Sequence, residues 1–185
     1  MSTDIELDHP PVGWVVDSFS GEVGPLTLWR GDPLVRWATD ALLDAGVLIV
    51  DERIDWSQLG ALDAPVVVAD TACPGVPASF IAACVQRAVA EGRPVVGVRS
   101  VTDTLKATSV DGWGATINRD EVVQICAPVV LPSGAWGERA TPPTDVVAWV
   151  RELPEVVLVE APASAARIAD PAALVLLEAS DAHSA

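Results

Sequence analysis

Apolar residues fall in short runs separated by polar, glycine- or proline-bearing segments, and two periodicities alternate along the chain. Val12 to Asp17, Val47 to Val50, Pro65 to Ala69, Val95 to Val98, Gln124 to Pro132 and Val156 to Glu160 are short, valine-rich runs. Near-continuous apolar runs of this length predict strands buried on both faces. Helical spacing occupies the intervals. Leu34, Trp37, Ala41 and Leu42 mark a helix ended by Gly46, for which Asp32 is the expected N-cap and Pro33 the first helical residue. Phe80, Ile81, Cys84, Val85, Ala88 and Val89 form one face of a helix over Pro77–Glu91, closed by Gly92-Arg93-Pro94. Thr144–Glu152, with Trp149 on its buried side, and Pro171–Ala179 predict two more helices. Strand–helix alternation of this kind implies an α/β domain, a mostly parallel sheet with helices on both faces. Asp55–Gln58 reads as a surface turn of helix and Ser133–Ala140 as a loop. Ala107–Val110 and Ala115–Ile117 flank Asp111-Gly112-Trp113-Gly114, which predicts a hairpin around a glycine-rich turn.

Residues 1–11 form a polar leader ending in Pro10-Pro11, residues 12–180 one domain, and residues 181–185 a frayed tail. Half of the 185 residues are hydrophobic, enough for a substantial core. Eleven basic against twenty-six acidic residues give a net charge of −15, which argues against unaided nucleic-acid binding. A polyanionic ligand would need the few cations gathered in one place. Cys73, Cys84 and Cys126 show neither metal-ligand spacing nor a disulfide framework and fit reduced thiols in a cytoplasm. The acidic start has no secretory character, and no apolar run is long enough to span a membrane.

One stretch has no generic structural meaning. After the strand at Val95–Val98 comes Val101-Thr102-Asp103-Thr104-Leu105-Lys106, a dense set of hydroxyls with one carboxylate and the only lysine of the chain. The hairpin follows, and then Ile117-Asn118-Arg119. This arrangement resembles the 2-C-methyl-D-erythritol 4-phosphate cytidylyltransferase family, which transfers CMP from CTP to a sugar-alcohol phosphate in isoprenoid precursor synthesis. The helix after Gly31-Asp32-Pro33-Leu34 is similar to the family's, as is Asp70-Thr71-Ala72-Cys73-Pro74, where the family has Asp-Ala-Ala-Arg-Pro. Arg167-Ile168-Ala169-Asp170-Pro171 stands where the family has a phosphate-touching lysine before a helix.

The resemblance implies a Rossmann-like three-layer sandwich with a protruding β-arm at about 107–119, which would clasp a second subunit in a homodimer. It implies Asp70 and Arg167 as catalytic residues, with Asp70 near a Mg²⁺ ion. Asp103, Thr104, Lys106 and Arg119 would bind substrate, Arg119 reaching the neighbour's site. Asp70 also stands at the C-terminal end of a strand, where open α/β sheets place ligand-binding residues.

The chain departs from the family pattern on the nucleotide side. The loop Ser18–Pro25 keeps Gly21 and Gly24 but carries Glu22 and no lysine or arginine, where the family loop holds the CTP triphosphate. Arg30 and Arg36 are the cations that could substitute. Cys73 replaces an arginine, and Ala127-Pro128-Val129 stands for Thr-Pro-Gln. Two readings follow. The first is a divergent cytidylyltransferase with weakened CTP binding and doubtful turnover. The second is a non-catalytic dimeric module for a phosphorylated metabolite or a protein partner. A Rossmann dehydrogenase is disfavoured, since no G-x-G-x-x-G follows the first strand.

Overall fold

The valine-rich runs become the strands of one six-stranded sheet in the computed structural model, which describes residues 9–18, 23–50, 54, 56–102, 104–109, 112–136, 141 and 143–181. In chain order the elements are β1 (Val12–Val16), β2 (Leu28–Trp29), β3 (Asp32–Pro33), α1 (Leu34–Asp44), β4 (Leu48–Ile49), β5 (Val66–Asp70), α2 (Ala78–Glu91) and β6 (Val95–Ser100). Then follow β7 (Leu105–Ser109), β8 (Gly112–Ile117), β9 (Val123–Leu131), α3 (Val146–Val150), β10 (Val157–Glu160) and α4 (Pro171–Asp181). The sheet order is β10-β6-β9-β5-β1-β4. All neighbours are parallel except β9, which runs antiparallel between β5 and β6. Five strands therefore end at one rim, and β9 begins there.

The inner strands β1, β5, β6 and β9 are covered on both faces over most of their length, whereas the edge strands β4 and β10, also expected to be buried on both faces, leave Leu48, Ile49 and Leu158 exposed because each has a neighbour on one side only. One face packs Val67, Ala69 and Val95 against Leu42 of α1 and Ile81, Cys84, Val85 and Ala88 of α2. The opposite face packs Trp14, Val68, Val96 and Val129 against Trp136 and against Val146 and Trp149 of α3. A third cluster of Val23, Trp29, Leu34, Ile168 and Leu177 closes over the rim where β1 and β5 end. Gly92 ends α2 in the left-handed region at φ 62°, where a Cβ would be strained, and so lets Pro94 lead straight into β6.

Several boundaries differ from the sequence reading. Pro33 is the N-cap of α1 and makes no side-chain cap bond. Asp32 instead accepts from Arg36 Nη1 at 2.7 Å, because β2 and β3 form a small ribbon that turns its side chain to the helix surface. Ser57 and Gln58 are exposed in a 3-10 helix, Trp56–Ala61, which continues past the expected surface turn to bury Leu59; Asp55 lies outside the described residues. The α3 helix is shorter than 144–152, and the Asp145 side chain accepts from Ala148 N at 2.9 Å to start it. Gly112 and Trp113 pair with Ser109 and Thr108 as strand residues of the hairpin. Val110 and Asp111, residues 1–8 of the leader and residues 182–185 of the tail lie outside the described residues.

The hairpin leaves β6 and returns to β9 at the same rim, where Ser100 pairs with Val123. Among the described residues β7 and β8 pair only with each other, and β8 is exposed along its length, so the arm protrudes. No helix among the described residues is long and apolar enough to cross a membrane.

One core group makes stability depend on pH. Burial pushes the Cys84 thiol from 9.0 up to about 12. The neutral thiol stabilises the fold fully below pH 9, and that contribution is lost as pH rises toward 12, because the unfolded chain releases its proton first. Between pH 8 and pH 10 the wild type should lose about 1.4 kcal/mol more than a Cys84→Val variant. Urea unfolding of both proteins at the two pH values measures this; parallel losses would contradict it.

Candidate functional site

β5 carries Asp70 to the rim as its last residue, and the carboxylate is 1% exposed there. Its Oδ1 accepts from the Ala72 N–H at 2.9 Å, which tightens the turn after the strand. Its Oδ2 lies 2.8 Å from Arg167 Nη2. Arg167 arrives from far along the chain, after β10, because its segment packs back onto this turn. Ile168 N donates to the Ala72 carbonyl at 2.7 Å, while Ala165 and Ile168 are buried. Gly75 permits the approach: a Cβ there would sit 2.2 Å from the Ser164 carbonyl oxygen. Asp170 then accepts from Ala173 N at 2.8 Å and starts α4.

The Arg167 side chain is 16% exposed, and its Nη1 is buried with no hydrogen-bond partner among the described residues. Burial acts to lower its pKa, but the Asp70 charge, followed by Cys73 and the Asp70 hydrogen bond, outweighs burial and raises it. The group is a fixed cation with donor capacity to spare.

Cys73 is buried beside Cys126 of β9. A hydrogen bond between the two thiols, then burial, raises the Cys73 pKa. The same bond lowers that of Cys126 against burial, helped by the charges of Arg99 and Arg167. Arg99 was not singled out from the sequence. The signal was there: one arginine ending an otherwise apolar strand just before the Thr-Asp-Thr motif.

The residues at Asp70 do not fit a resident divalent cation. One oxygen faces a backbone N–H and the other a guanidinium, whereas a metal needs several free oxygen donors. Among the described residues no group of three His, Cys, Asp or Glu side chains is placed to hold a metal.

The structure brings Asp70 and Arg167 together but leaves the other candidates on the arm and its base. Thr104 is exposed just before β7, and Lys106 is exposed on β7 opposite Thr116. Arg119 follows β8 and donates from Nη1 to the Thr102 carbonyl at 2.7 Å, which ties the two ends of the arm together. Asp103 lies outside the described residues. Topology puts Thr104 and Asp70 on the same rim, since β5 and β6 run the same way.

After β1, Val23 is buried in the rim cluster, and Gly24 N donates to Thr27 Oγ1 at 2.9 Å. Gly21 and Glu22 lie outside the described residues. Arg36 is committed to two carboxylates, Asp32 and Asp40. Arg30 sits in the left-handed region at φ 52° with its guanidinium 4.9 Å from the Trp29 ring centroid.

No protein-family model and no curated protein matches the chain. Solved structures do. The 2-C-methyl-D-erythritol 4-phosphate cytidylyltransferase of Thermus thermophilus superposes with a TM-score of 0.64 at 22% identity, covering 91% of this chain and 98% of its own. The 4-diphosphocytidyl-2C-methyl-D-erythritol synthase of Anaerococcus prevotii gives 0.62 at 14% identity, covering 95% and 98%. The cytidylyltransferase of Francisella tularensis gives 0.60 at 12%, covering 89% and 97%. With sequence identity this low and backbone agreement over nearly the whole chain, the resemblance first read in the Thr-Asp-Thr motif holds for the architecture: this chain has the fold of the 2-C-methyl-D-erythritol 4-phosphate cytidylyltransferases.

Proposed function

We propose that the protein is a divergent cytidylyltransferase-like protein that keeps a site for a small phosphorylated molecule and has lost most of its hold on CTP. The partly buried Arg167, braced by Asp70 at 2.8 Å and carrying an unpartnered Nη1, is the observation behind this reading. A phosphate monoester at the rim would take charge-assisted hydrogen bonds from that guanidinium, with Asp70 keeping it oriented. Thr104 and Lys106 at the base of the arm stand as further contacts for the same ligand, with Asp103 beside them in sequence. Transfer of a nucleotidyl group depends on positioning and charge neutralisation more than on covalent chemistry. Each charge-assisted bond missing from the triphosphate loop removes about 1.5–3 kcal/mol, so turnover would fall by orders of magnitude. If Mg²⁺ takes part, it enters with the phosphates of a ligand, since Asp70 alone is no metal site.

Calorimetric titration tests this directly. Methylerythritol phosphate should bind the wild type with a Kd below about 1 mM, and Arg167→Gln should weaken it. CTP with Mg²⁺ should bind more weakly than about 100 μM. Micromolar CTP binding would overturn the loss of the nucleotide half and restore an active transferase.

A second reading, a dimeric module without turnover, is favoured by Trp113, which is 80% exposed on the arm. Large aromatic groups at such positions anchor interfaces. A homodimer clasped by the arms would cover Trp113 and carry Arg119 toward the neighbour's rim. In analytical ultracentrifugation the wild type should be dimeric at tens of micromolar and Trp113→Ala should shift toward monomer. A monomeric wild type would exclude the clasp. The three free thiols support a reducing, cytoplasmic setting.

A further inference from the structure

A cleft of about 300 Å³ opens between the end of β6, the segment carrying Arg167, and α4. Two arginines, Arg99 and Arg167, stand in it, and Ile168, Ala173, Leu176 and Leu177 give it an apolar wall. Gathering two cations here is unusual for a chain with a net charge of −15. Elsewhere arginines meet carboxylates: Arg36 pairs with Asp32 and Asp40, and Arg87 and Arg93 pair with Glu91. Among the described residues no carboxylate pairs with Arg99, whose Nη1 reaches only the Ala161 carbonyl at 3.5 Å. Nearby Glu160 accepts from Ser100 N at 3.3 Å. Asp70 pairs with Arg167, while Arg99 stands beside an apolar wall with no carboxylate at ion-pair distance among the described residues. The α4 wall is open on one side, with Leu177 4% exposed and Leu176 70% exposed.

We propose that this cleft binds an organic anion with a small oxyanion head, a phosphate monoester or a carboxylate, and an apolar body. Arg99 and the Arg167 guanidinium take the head, and Leu176 and Leu177 cover the body. The inference shares Arg167 with the function proposed above and extends it by adding Arg99 and the α4 wall. Two arginines, one of them already paired with Asp70, suit a carboxylate or a phosphate monoester better than a triphosphate. An apolar wall adds affinity in proportion to the area it covers, which a bare sugar phosphate would not use.

The test is calorimetric titration of the full chain with hexyl phosphate, octanoate, inorganic phosphate and hexanol. Hexyl phosphate should bind at least tenfold tighter than either inorganic phosphate or hexanol, and octanoate should also bind measurably. Arg99→Met and Leu176→Glu, both at partly or fully exposed sites, should each weaken hexyl phosphate at least tenfold without moving the Tm. Hexyl phosphate binding no tighter than inorganic phosphate overturns the proposal, as does unchanged affinity in Arg99→Met. Methylerythritol phosphate titrated in parallel separates the two readings. If it binds wild type and Arg99→Met alike while hexyl phosphate fails, only the cleft proposal falls. If hexyl phosphate binds and methylerythritol phosphate does not, the cleft stands and the sugar-phosphate reading falls.

Discussion

Replacing Arg167 with alanine should lower the unfolding free energy by about 3–5 kcal/mol, because it leaves a buried carboxylate without its counter-charge. Asp70 is 1% exposed, and only the Ala72 N–H would remain to it, on Oδ1. For a chain of this length such a loss corresponds to a Tm drop of about 6–20 °C. The charge matters more than the contact area. A double variant, Asp70→Asn with Arg167→Met, keeps an acceptor for Ala72 N and an aliphatic stem at position 167, and removes both charges. It should recover most of the stability, since well-packed neutral replacements of a buried ion pair are often neutral. Urea midpoints of wild type, single and double variants give the cycle. A single-variant loss under about 1 kcal/mol would mean that solvent screens the pair and that Arg167 is free to swing.

Trp136→Ala should cost about 3–5 kcal/mol, the range for truncating a buried tryptophan. Trp136 is 4% exposed and stands between two other indoles. Its ring meets Trp14 edge-on at 5.0 Å and 89°, and Trp149 at 6.0 Å and 65°. Truncation would open a void shared by β1, α3 and the segment after β9, which the short α3 cannot close by itself. Near-ultraviolet circular dichroism should lose much of its indole signal along with the midpoint shift. A variant as stable as wild type would show that the segment relaxes into the space, and that the helix-poor face of the sheet is not held by this cluster.

These two residues divide differently between sequence and structure. Arg167 is legible in the sequence through its place ahead of Asp170-Pro171 in a pattern similar to the family's. Asp70 was legible as the polar end of a valine run. Their pairing was not, since almost a hundred residues separate them and only the packing of Ile168 on Ala72 brings them together. Trp136 lay in what reads as a loop, so its burial had no periodicity to announce it. Arg99 was passed over for a related reason: on its own, a charged residue at a strand end reads as a solvated edge.

Local physics alone settled the main strands, the positions of α1, α2 and α4, and the existence of the hairpin. Valine runs bounded by glycine and proline, and helical spacing of apolar residues, depend only on the neighbours of each residue. Tertiary structure decided three things that depend on distant partners. It placed β9 antiparallel between β5 and β6, which no feature of its own sequence distinguishes from a parallel strand. It turned Asp32 from the expected cap into an ion-pair partner of Arg36, because the β2–β3 ribbon fixed the direction of its side chain. It folded the chain after β10 back across the rim, where a glycine without a Cβ allowed backbone to meet backbone. There two arginines converge from positions that the linear sequence keeps far apart.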